Sequence, residues 1–265
     1  MRQKEEGSTA DIIELHVKAH GKTMITISEL AKLTARSTAE VQQDVEWMEK
    51  EGLVITFSMK KDVCVWHTDT FQEVKAALVK ALKEHEQKYP YRYGMRKSEI
   101  QTQCFAKIKP IVFDKVIDEM EHRNVLKRRN ELLCTAEHEI QKDEIFKKAE
   151  EKYIQIFADA KYDFVKISEI EVEGILKDTA EDIRNVLEQE EQIVKVADDI
   201  YTRKAYMKEA EQMIREYLEE NSVINIVQVK EMFATSRKNA KLIVEYMDRK
   251  KVTKKVGAET ERAAF

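Results

Sequence analysis

Two short signatures recur four times, in the same order, along the 265 residues of this chain. A chain built that way folds as an array of small units rather than as one large domain. The first signature is ITISELAKL (25–33), RKSEIQTQC (96–104), VKISEIEVE (165–173) and INIVQVKEM (224–232), each a β-branched or polar lead-in to a short amphipathic stretch. Glu29, Glu99 and Glu169 are spaced by 70 and 70 residues, and the matching Gln228 follows 59 later. The second signature is WMEKEGLV (47–54), EMEHRNVL (119–126), VLEQEEQIV (186–194) and YMDRKKVT (246–253). In it Met48, Met120, Leu187 and Met247 are each followed by an acid, a polar turn and the opening of a β-branched strand.

Periodicity gives each unit its elements. A first helix precedes the lead-in at 11–20, 71–85, 144–160 and 205–220, and a short second helix follows it. A third helix is written at 37–52 in unit one and 236–251 in unit four, where Ala240, Ile243, Val244 and Met247 form one apolar face. Residues 53–66 then alternate apolar and polar about a Lys-Lys-Asp turn, as a hairpin does. Three helices and a hairpin in roughly 60–70 residues predict a winged helix, a size at which stacked neighbours add needed burial. The fold class expected is mainly α with small β-hairpins (α+β), four tandem winged-helix (helix-turn-helix) domains at 1–69, 70–139, 140–203 and 204–265. Units one and two, and units three and four, are expected to associate as two arms, with the charged stretch 137–148 as the joint.

Composition agrees. Six Gly and two Pro leave little punctuation for large sheets, while 36% charged and 43% hydrophobic residues suit amphipathic helices. No stretch approaches 18 consecutive apolar residues, and the opening MRQKEEGSTADIIEL lacks the apolar core of a signal peptide. A cytoplasmic chain, with no membrane and as a monomer, is the expectation. Cys64, Cys104 and Cys134 have neither zinc-site nor disulfide spacing and read as buried thiols.

Charge is distributed unevenly. The formal net charge is −4, yet residues 234–257 hold eight Lys or Arg against Glu245 and Asp248. These cations fall on the third helix and hairpin of unit four, the elements a winged helix presents to nucleic acid. Thr235 or Ser236 is suited to cap the helix, placing Arg237, Lys238 and Lys241 near its positive end. Lys254 and Lys255 lie in or beside the wing. A second basic patch, Arg123, Lys127, Arg128 and Arg129, leads into the wing of unit two. The corresponding helix of unit three, 178–191, is acidic and reads as a spacer.

Catalytic signatures fail on inspection. HGKTM (20–24) holds the GKT of a phosphate loop, but His16 stands where the glycine-rich turn needs Gly. His16 and His20 share a helix face without a third ligand, and Cys134 and His138 likewise stand alone. No enzyme activity, metal or catalytic residue is expected.

The run ATSRKNAKLIVEYMDRKKVTKKVG (234–257) resembles the terminal winged helix of the bacterial selenocysteine-specific elongation factors, the SelB family, and YPYRYGMRKSEI (89–100) resembles the start of that family's second winged helix. The resemblance covers essentially the full chain as four consecutive winged helices. It implies an RNA-binding part of a translation factor that tethers it to the selenocysteine-insertion hairpin (SECIS) of an mRNA for UGA recoding. Ser236, Arg237 and Lys238 carry over from the family's TSRK run, and Arg249, Thr253, Lys254, Lys255 and Gly257 from its wing. Lys254 and Lys255 stand where an Arg-containing pair is more usual, and 258–265 keeps only Arg262 of a basic closing strand. The family's GTP- and tRNA-binding domains are absent from the chain, so GTP and Mg are implied only for those domains. Ribosome and selenocysteinyl-tRNA are partners implied through them. A winged-helix DNA-binding transcription regulator is the alternative, and an array for protein contacts a third.

Overall fold

The computed structural model describes residues 9–257 and 260–265. Eight residues of the opening read for a signal peptide, and Ala258 and Glu259 of the closing segment, lie outside the described residues. The first module contains α1 (Thr9–His20), β1 (Ile25–Thr26), α2 (Ile27–Leu33), α3 (Thr38–Lys50), β2 (Val54–Ser58) and β3 (Val63–His67). The second contains α4 (Thr68–Lys88), β4 (Met95–Arg96), α5 (Lys97–Cys104), α6 (Pro110–His122), β5 (Leu126–Arg129) and β6 (Leu132–Thr135). The third contains α7 (Glu144–Ala160), β7 (Val165–Lys166), α8 (Lys177–Gln189), β8 (Ile193–Ala197) and β9 (Ile200–Arg203). The fourth contains α9 (Lys204–Glu220), β10 (Ile224–Asn225), α10 (Ile226–Met232), α11 (Arg237–Arg249), β11 (Thr253–Lys255) and β12 (Glu261–Ala264).

All four are winged helices, and each has one more strand than the hairpin alone. The lead-in of the first signature pairs antiparallel with the last strand of its module, giving four three-stranded sheets of one order, β1-β3-β2 in the first. The third module departs from the expected pattern. Its second helix is only a 3₁₀ turn at Ile167–Glu169, because β-branched Ile170, Val172 and Ile175 and a Gly174 at φ +76° follow at once.

Both signatures now have a physical reading. Glu29 and Gln228 are the reciprocal partners of capping boxes, Thr26 with Glu29 and Asn225 with Gln228. In the second signature the backbone N–H of Leu53, Val125, Gln192 and Val252 donates to the carbonyl of Met48, Met120, Leu187 and Met247. The residue just before each donor (Gly52, Asn124, Glu191 and Lys251) is left-handed, φ between +55° and +75°. That is a helix C-terminal motif which turns the chain sharply from the third helix into the wing.

The described residues fall into two compact units that divide between Ile140 and Gln141, inside the stretch expected as a joint. Within each, the wing of the first module packs against the second module. In β2 and β3, Val54 and Val65 belong to the core of their own module, while Ile55, Phe57, Cys64 and Trp66 join the core containing Phe71, Phe113 and Val116 of the second. Trp66 meets Phe71 edge-on at 5.7 Å. In the other unit Val196 of β8 enters the core of the fourth module, with Val194 and Ile200 packed beside it. The wings of the second and fourth modules carry instead outward cations.

Candidate nucleic-acid interface

The site is built from the start of α11 and the strand β11. Ser236 caps α11, its Oγ accepting from the Asn239 N–H at 3.1 Å. Thr235 is not the cap. It is buried, with Oγ1 2.8 Å from both the Tyr162 carbonyl and Asp163 Oδ1 of the third module. Asn239 Nδ2 adds a 3.3 Å bond to the same carboxylate oxygen. The helix start is therefore fixed on one side by the preceding module, and its first-turn side chains Arg237 and Lys238 are exposed. Its positive dipole end and these two cations favour phosphate at the same place. Lys241, one turn on, is exposed and only loosely paired with Glu245 at 3.7 Å, a surface ion pair of small worth.

On the wing, Lys254 and Lys255 are exposed, facing Ala263 and Arg262 across the sheet. Gly257 follows at φ +57°, a left-handed turn that favours glycine, and a Cβ there would come within 2.9 Å of the Glu261 carboxylate, which can move aside.

Two residues expected to contact RNA are engaged otherwise. Thr253 is 2% exposed and its hydroxyl donates to Asp248 Oδ1 at 2.7 Å, so it holds the wing rather than facing a ligand. Arg249 donates through a guanidinium nitrogen to the Val196 carbonyl and lies over the Tyr246 ring, which binds the third module's wing to α11. The sequence reading missed Asp248 and Arg262, and the repeated acid after Met247 was the signal for them. Glu49 accepts from Thr56 N and Oγ1, and Glu121 pairs with Arg128, each seven residues on in the wing of its own module.

The second basic patch divides too. Arg123 pairs with Glu119 at 2.6 Å and lies over Phe71. Arg128 pairs with Asp118 at 2.7 Å and Glu121 at 3.2 Å, and the Asp118 bond first, then Glu121, raises its pKa further. Lys127 and Arg129 remain exposed. Among the described residues no cluster of His, Cys, Asp and Glu could hold a metal ion. The GKT segment is a 3₁₀ turn whose Gly21 carbonyl accepts from Trp66 Nε1 at 2.9 Å. Burial pushes the Cys134 thiol up to about 11, which keeps it unreactive.

Fold and site define a tandem winged-helix protein whose free wings are basic. Two segments match family models described as elongation factor SelB, winged helix: residues 79–133, by the model of the second such domain, and residues 216–260, by that of the third. These two segments, in the second and fourth modules, are similar to SelB winged-helix domains. By position along this chain the segment matched by the third model is the fourth module. A crystal structure of a bacterial selenocysteine-specific elongation factor, EF-Sec, shares the fold at 16% identity and a TM-score of 0.52, over 94% of this chain and 37% of that one. This chain thus spans little more than a third of that protein's length. A structure of the mRNA-binding domain of SelB from E. coli with SECIS RNA aligns over 46% of this chain and 98% of that one, at 20% identity and a TM-score of 0.39. No curated protein matches the chain. Among the described residues, no helix is long and apolar enough to cross a membrane.

Proposed function

We propose that this chain is the mRNA-binding part of a selenocysteine-specific elongation factor, and that its fourth module holds an RNA hairpin. The observation that carries the reading is the exposed set Arg237, Lys238, Lys254 and Lys255 on a helix start and wing, within a segment matched by a SelB winged helix. The side chains expected from the family's run divide the work: Ser236 caps, Thr253 and Arg249 hold the wing and the neighbouring module, and Lys241 extends the charge along the helix. A-form RNA has a deep, narrow major groove that α11 cannot enter, so the ligand is a hairpin whose loop offers phosphates and an unstacked base. GTP hydrolysis, selenocysteinyl-tRNA and the ribosome belong to the other domains of such a factor, acting in the cytoplasm, and this chain supplies the tether as a monomer.

A gel-shift competition between an RNA hairpin, its fully paired version and duplex DNA tests the reading. The hairpin is expected to compete best. Preference for duplex DNA overturns it and favours a DNA-binding regulator.

A further inference from the structure

The second module carries a cationic surface that its own acids do not neutralise. Its inner cations are all engaged: Lys97 pairs with Asp114 at 2.7 Å, Arg123 with Glu119, and Arg128 with Asp118 and Glu121. Arg96, Lys127 and Arg129 are exposed and, among the described residues, hold no acidic partner. The sheet register puts them together. Arg96 and Arg129 both lie opposite Leu132, on either side of it, and Lys127 is two residues before Arg129 on the same face of β5. With strands about 4.8 Å apart, the two Arg Cα atoms are about 10 Å apart on that face.

An aromatic ring completes the surface. The Arg129 guanidinium lies 3.7 Å from the centroid of the Tyr93 ring. Tyr93 is brought there by Gly94, whose backbone lies so close to β6 that a Cβ would meet the Leu133 carbonyl oxygen at 2.3 Å and Cys134 Cβ at 3.2 Å. Stacking holds the guanidinium plane in one orientation while its edge remains free for phosphate.

We infer that this face of the second wing binds single-stranded RNA, with bases stacking on the Tyr93–Arg129 pair and phosphates meeting Arg96 and Lys127. The neighbouring helix decides against a duplex. A duplex reader would place α6 in a groove, but Asp114, Asp118, Glu119 and Glu121 of α6 would then approach phosphates. Unpaired nucleotides need only the wing, and aromatic-plus-cation platforms accept them with little regard to sequence. This site belongs to the second module and the hairpin reader to the fourth, so it stands or falls separately.

The test is fluorescence anisotropy of the whole chain with a labelled uridine oligonucleotide of about 12 nucleotides, which has no hairpin. Tyr93→Ala and Arg129→Ala are each expected to weaken binding about tenfold. Arg129→Lys should keep the salt slope without restoring the affinity, and Lys127→Ala should lower the slope by about 0.7. Unchanged far-ultraviolet circular dichroism and melting temperature would assign the losses to binding. Equal binding by wild type and Arg129→Ala overturns the inference. So does an equal loss in Arg237→Ala, which would place the oligonucleotide on the fourth module. Displacement by a duplex of the same length, or by polyglutamate, as readily as by unlabelled oligonucleotide also overturns it, the last pointing to an acidic protein instead.

Discussion

Asp248 and Arg262 tie the last turn of α11 to the closing strand of the fourth wing: Asp248 Oδ2 accepts from Arg262 Nε at 2.8 Å, and the Arg262 side chain is 3% exposed. Asp248 Oδ1 holds Thr253 at the same time, so one carboxylate secures both strands. Asp248 is partly exposed and Arg262 keeps another hydrogen bond, so removing one member of this largely buried pair costs about 2 kcal/mol. Asp248→Ala and Arg262→Ala are each expected to destabilise the second compact unit by about that amount. The double variant should cost little more than either single one, because both break the same contact. Urea melts of the four proteins decide it, and strict additivity would mean the two residues act independently.

Much of this was legible in the sequence, and the two signatures explain why. The left-handed helix end closes the third helix of all four modules, and the capping box opens the second helix of the first and fourth; both are local devices, written in residues three to five apart. The wings were harder to read. VITFS and VCVWH look like strands with one core face, yet both faces are buried, because Ile55, Phe57 and Trp66 pack on the next module. Their apolar outer face, set against LKRR and TKK in the second and fourth wings, distinguishes docked wings from free ones. Net charge in a window carried less information. It counted Arg128 and Arg249 with Arg237 and Lys254, and pairing across the fold, which no window sees, separates them.

Thr235 gives a test of how the third and fourth modules are joined. Its hydroxyl is buried against Tyr162 O and Asp163 Oδ1, and Thr235→Val removes the donor while keeping the shape. The half-buried Tyr162 carbonyl then loses this donor, while the exposed Asp163 keeps Asn239 Nδ2, at a cost of about 1–2 kcal/mol. Thermal unfolding of the second unit should shift down accordingly, and Ser236→Ala, which removes only the cap, should cost about 1 kcal/mol. A larger loss for Ser236→Ala than for Thr235→Val would contradict this assignment.

His85 makes the first unit pH-sensitive. Burial, and then the nearby Arg92, hold its imidazole below the ordinary value, and its Nδ1 is buried without a partner. As pH falls through about 6.5 the unfolded chain takes up a proton that the folded chain does not, so stability declines on acidification. Both tryptophans, Trp47 and Trp66, lie in this unit, so their fluorescence reports its unfolding. The melting temperature should fall between pH 7.5 and 5.5, and fall less in His85→Gln. Equal slopes in the two proteins would remove His85 as the cause.

The exposed cations of the fourth module give the final prediction. If Lys238, Lys254 and Lys255 meet phosphates, neutralising each should weaken binding alike across related hairpins and lower the salt slope by about 0.7–0.9. Arg237, in the first turn of α11, has a planar fork able to reach or stack on a base that has left the loop. Arg237→Ala should therefore cost about 1–3 kcal/mol and blur discrimination between loop sequences. Arg237→Lys keeps the charge and should restore the salt slope but not the discrimination. None of these should move the melting temperature, because Ala240, Ile243, Val244 and Met247 on the buried face are untouched. Arg249→Ala should do the reverse, lowering stability through the lost Val196 contact while leaving the salt slope alone. The control is Lys177→Ala, since Lys177 is exposed at the start of the acidic α8; Arg184 packs over Tyr201 and would confound folding with binding. If Lys177→Ala reduces hairpin affinity as much as Lys254→Ala, the reader is not the fourth module.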